Sequence, residues 1–98
     1  MKTSELQGAA LDWAVEKANG GDHTYNPRGY SMDWAFGGPI IEREITRVEN
    51  LGDGRWAAYK NSKDETHRLT GPTPLIAAMR CYVASKIGDE VEIPEELK

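Results

Sequence analysis

The chain has 98 residues, 29% of them charged and 39% apolar, which fits a single small domain over 1–98 with a thin core and excludes extended disorder. A formal charge of −4 counts against a nucleic-acid backbone as partner, and a single cysteine excludes an intramolecular disulfide framework and points to a reducing compartment. Glu5 and Asp12 interrupt what would be the apolar core of a signal peptide, and no run approaches the roughly 18 apolar residues of a membrane span, so no membrane partner is expected.

Ser4–Ala18 reads as a first helix. Ser4 and Gln7 have capping-box spacing, and Leu6, Ala10, Trp13 and Ala14 make one apolar face, widened by Leu11, Val15 and Ala18. Trp13 is expected as a core anchor on that stripe, and Gly20-Gly21 stops the helix. Asp22–Pro39 carries Tyr25, Asn26-Pro27, Tyr30, Trp34, Phe36 and Gly37-Gly38-Pro39 without helical or alternating periodicity, so it is expected to be a long aromatic loop ending in a tight turn. Such a loop either covers the sheet with its aromatics or presents a binding surface.

Ile40–Val48 reads as a strand because of its β-branched residues, Asn50–Gly54 as a turn and Arg55–Tyr59 as the second arm of a hairpin. Thr66–Leu69 adds a third short strand. Thr73 is placed to cap a second helix with Pro74 at its first position, Leu75, Ile76, Met79, Tyr82, Val83 and Ile87 as its apolar face, and Gly88 beyond its end. The tail, residues 89–98, is acidic. The expected fold is α+β: two helices packed on a small antiparallel β-sheet, with the long aromatic loop wrapping an edge. A thin core beside several aromatics also predicts self-association, as a homodimer.

No glycine-rich phosphate loop is present. His23, His67, Cys81 and Asp33 lack metal-ligand spacing, Cys81 lies inside a helix, and Glu42 and Glu44 read as solvated charge, so no cofactor, metal or catalytic group is expected. Six arginines remain as anion contacts, and Arg80 is the least expected, among apolar helix neighbours. It either covers apolar surface with its stem or reaches inward to a carboxylate or an anionic ligand. Candidate ligand-binding residues are Asp33, Trp34, Gly37, Gly38 and Thr73, with Arg80, Tyr30 and Arg68. The carboxylate–aromatic pair, the glycine turn and the start of the second helix would together make a polar–aromatic pocket. The alternative is structural: Asp33 caps the second helix, and Trp34 fills the gap behind it.

The segments TSELQGAALDWAV (3–15), SMDWAFGGPIIERE (31–44) and TGPTPLIAAMRCYVASKIGDEVEIPEEL (70–97) resemble the NinX-like family of small phage and prophage proteins, a domain of unknown function. The resemblance implies a phage accessory protein acting in the host cytoplasm, and transfers no catalytic residue. Proteins of that kind inhibit host proteins, modulate transcription or recombination, or bind signalling nucleotides. Three functions therefore compete: a non-enzymatic binder of a small anionic ligand of nucleotide type, a module that docks on a host or phage protein, and an enzyme of unrecognised type.

Overall fold

The structure is a computed structural model and describes residues 1–20, 29–60 and 68–97. A short 3-10 turn at Thr3–Glu5 precedes α1 (Gly8–Ala18). Then come α2 (Trp34–Glu44), the strands β1 (Arg47–Asn50), β2 (Trp56–Tyr59) and β3 (Leu69–Gly71), and α3 (Pro74–Lys86). A second 3-10 turn lies at Glu95–Leu97. The strands form an antiparallel meander in the order β1-β2-β3, with Val48 opposite Ala58 and Ala58 opposite Leu69.

α3 is the centre of the molecule. It packs against all three strands, α1 and α2, and Ala77 through Ala84 are buried without interruption. Three alanines in that run let neighbouring backbones approach from several sides. Both expected end signals of the helix are in use. Thr73 Oγ1 accepts the Ile76 N–H at 3.0 Å, Pro74 takes the first helical position, and Gly88 leaves the helix with φ +116°.

The expected two-helix plan is corrected to three α-helices among the described residues. Residues 34–44, expected as the end of a loop and the start of a strand, form α2, while residues 29–33 form only a short turn before it. Asp33 starts α2 by accepting the Ala35 N–H at 2.9 Å, and Gly37 and Ile40 supply its buried face at helical spacing. Pro39 lies inside this helix, where its ring removes one backbone bond and normally costs about 3 kcal/mol. Packing of Ile40 and Ile41 on the core, with Gly37 buried against Leu75, opposes that penalty. Ile45 is already extended, so the strand begins at Arg47 rather than Ile40. The rest of the expected loop, including His23, Tyr25, Asn26 and Pro27, lies outside the described residues, as do Thr66 and His67 at the expected start of the third strand.

The capping box at Ser4 and Gln7 does not form either. Leu6 is extended, Gln7 is the N-cap residue without a side-chain bond, and Gly8 enters α1 with φ +56°. A tertiary clasp explains the break. The Thr3 N–H donates to the Asp89 carbonyl at 2.8 Å and Thr3 Oγ1 to the Gly88 carbonyl at 2.6 Å, which draws this turn onto the end of α3. Trp13 is half-buried at the edge of the core, with Lys17 Nζ 5.4 Å from its ring centre.

Candidate functional site

The turn ahead of α2 and the start of α3 lie side by side. In the turn, the Met32 and Asp33 amides both donate to the Gly29 carbonyl, at 3.1 and 2.8 Å, which reverses the chain and throws Met32 outward. Between these two starts opens a pocket of about 230 Å³ lined by Ser31, Met32, Trp34, Thr73, Pro74, Leu75 and Ile76. Its rim is apolar and wet: Met32 is 81% exposed and Trp34 55%. A globular chain ordinarily hides such side chains, so two together at a concave surface are informative.

The expected site residues divide into three groups. Trp34 and Thr73 line the pocket, and Asp33 stands between Met32 and Trp34 with its carboxylate turned into its own helix cap. Gly37, Gly38 and Tyr30 support the walls. A β-carbon on Gly37 would stand 2.5 Å from both Leu75 Cδ1 and the Tyr30 carbonyl oxygen, so α2 reaches α3 only through a glycine here. Tyr30 is buried, donates its hydroxyl to Glu16 Oε2 at 2.5 Å and meets the Phe36 ring edge-on.

Arg68 and Arg80 lie elsewhere. Arg68 Nε donates to the Tyr59 hydroxyl at 3.0 Å on the sheet. Arg80 reaches inward, as one reading of the sequence has it, but among the described residues it meets neither a carboxylate nor the pocket. Its Nε donates to the Leu6 carbonyl at 2.7 Å and Nη1 to the Thr70 carbonyl at 2.8 Å. Burial pulls its pKa down from the ordinary arginine value. This guanidinium ties the turn before α1 to β3 across α3.

Other charged groups are also committed. Glu44 accepts from Arg43 Nε at 2.9 Å and from Lys60 Nζ, with Lys86 Nζ at 3.7 Å. The hydrogen bond from Lys60, then that from Arg43, hold its carboxyl down at about 2. Cys81 is buried, and burial pushes its thiol up to about 11. Among the described residues no three His, Cys, Asp or Glu side chains gather as a metal site, and no helix is long and apolar enough to cross a membrane. The sequence reading missed Met32, Pro74, Leu75 and Ile76 as pocket walls. It also missed Asp12, whose buried carboxylate accepts the Ser31 N–H at 2.8 Å. A charged residue inside an otherwise apolar helical stripe was the available signal for Asp12.

The family model described as Bacteriophage P22, NinX matches residues 21–86, well over half of the chain. The chain belongs to this family. It is a phage family of unknown function, and no curated protein matches the chain. The span shared with the family runs through α2, the sheet and α3 and so includes both walls of the pocket, while α1 precedes it. The resemblance read from the sequence reached further, over 3–15 and into the tail.

Proposed function

We propose that this phage protein is a non-enzymatic interaction module that receives an apolar side chain of another protein in the pocket between Ser31–Trp34 and Thr73–Ile76. The observation that carries this reading is the lining itself. Met32 and Trp34 stand exposed over walls of Pro74, Leu75 and Ile76, and no lysine, arginine or histidine is among the described lining residues. Exposed aromatic and methionine side chains beside a concavity are the usual anchors of protein interfaces.

The anionic-ligand reading asks for a cation and free amides at the same place. The Ile76 amide is taken by Thr73, the Ala35 amide by Asp33, and both Arg68 and Arg80 are bonded away from the pocket. These commitments favour a neutral apolar occupant over a nucleotide. Burial raises the pKa of the Cys81 thiol, which disfavours Cys81 itself as a nucleophile.

The test places the photo-crosslinker benzoylphenylalanine at Met32 in infected bacteria, with and without Trp34→Ala. The expected result is a protein adduct at position 32 that Trp34→Ala abolishes while the chain stays folded. An adduct of small-molecule mass, or a protein adduct indifferent to Trp34→Ala, overturns the proposal.

A further inference from the structure

We infer that Asp12 and Glu16 are positioning residues of the pocket: α1 holds the Ser31 amide and the Tyr30 hydroxyl in place and thereby sets where Met32 and Trp34 project. The inference rests on the pocket being the working surface.

Asp12 and Glu16 stand one helical turn apart on α1 and meet two consecutive residues of the turn. Asp12 Oδ1 accepts the Ser31 N–H at 2.8 Å, and Glu16 Oε2 accepts the Tyr30 hydroxyl at 2.5 Å. Ser31 lines the pocket, and Met32 and Trp34 follow within three residues. The Tyr30 carbonyl also lies close to Gly37 of α2, where a β-carbon would stand 2.5 Å from it. The turn is therefore clamped between two carboxylates of one helix and the backbone of another.

The cost of Asp12 argues for a purpose. Asp12 is only 9% exposed, and no ion pair joins it to a cation among the described residues. Burial pushes its carboxyl above the ordinary value, and the hydrogen bond from the Ser31 amide offsets part of that rise. A buried carboxylate with no cation destabilises a core that an apolar residue would fill more cheaply. What the carboxylate supplies and an apolar residue does not is an acceptor for the Ser31 amide.

The experiment uses the full chain labelled with 5-fluorotryptophan, with the Trp34 resonance assigned through Trp34→Phe and indole as the pocket probe. Asp12→Asn keeps an oxygen acceptor for the Ser31 amide, whereas Asp12→Ala removes it. The inference expects Asp12→Ala to shift or broaden the Trp34 resonance and weaken indole binding about tenfold. Asp12→Asn should retain both properties, and Trp56 should stay unmoved in each variant. If Asp12→Ala lowers stability yet leaves the Trp34 resonance and indole affinity unchanged, the carboxylate is structural only and the inference fails. Should Asp12→Ala not fold, Tyr30→Phe, which deletes the hydroxyl that bonds Glu16, must move the Trp34 resonance for the inference to stand. Failure of the wild-type chain to bind indole, together with the expected Trp34 shifts, removes support from the docking proposal and leaves the positioning role in place.

Discussion

Gly37 lies against Leu75 so closely that a β-carbon at position 37 would stand 2.5 Å from Leu75 Cδ1, and as close to the carbonyl oxygen of Tyr30. Leu75 can rotate; the Tyr30 backbone cannot move without carrying the next residue, Ser31, which lines the pocket. Gly38, its neighbour, has only Trp34 Cε3 nearby, at 3.8 Å. Gly37→Ala is therefore expected to destabilise the fold by about 2–3 kcal/mol through overpacking. Gly38→Ala is expected to be neutral or to stabilise by up to about 1 kcal/mol, because alanine has the better helix propensity. Urea unfolding of the two variants checks this contrast.

Arg80 is expected to behave as a structural tie rather than a ligand contact. Arg80→Ala leaves the Leu6 and Thr70 carbonyls without their donors and is expected to cost about 3 kcal/mol. Arg80→Lys, which cannot reproduce the two-pronged donation, is expected to fall between it and the wild type. Guanidinium titrations give the order, and equal stability of the alanine variant and the wild type would contradict it.

Thr73 and Asp33 are helix caps, and the kind of substitution tells capping from ligand binding. Thr73→Ala is expected to cost about 1 kcal/mol. Asp33→Asn is expected to cost almost nothing, because an asparagine oxygen caps as well as a carboxylate. A large loss of stability on Asp33→Asn, measured by thermal unfolding, would show that the charge itself is needed.

Glu44 predicts an acid-sensitive share of stability. Its folded-state pKa of about 2 lies below the ordinary 4.5, so the contribution is fully present above the unfolded value and is lost as pH falls through the folded one. Glu44→Gln is expected to cost roughly 1 kcal/mol near neutral pH, the scale of a charge pair with partial access to water. The gap between variant and wild type should narrow progressively below about pH 5 and close only below about pH 2. Unfolding free energies measured across that window provide the check.

Local signals in the sequence determined α3, the hairpin and the body of α1. Thr73 and Pro74 start a helix through bonds made within a few residues, Gly88 ends it, and Gly52 and Gly54 turn the hairpin with φ +86° and +87°. The sequence also set Trp34 beside Thr73, though it placed Trp34 in a loop rather than at the start of α2. Only the tertiary structure decided α2, since Gly37-Gly38-Pro39 reads locally as a breaker and becomes helical when Gly37 is pressed on Leu75 and Ile40 enters the core. It likewise decided the fate of Arg80, whose partners lie 74 and 10 residues away, and of Asp12, whose partner lies 19 away. Caps and turns are satisfied by near neighbours and so leave a mark in a short window. The destination of a buried charge depends on which distant carbonyl or amide the fold brings to it.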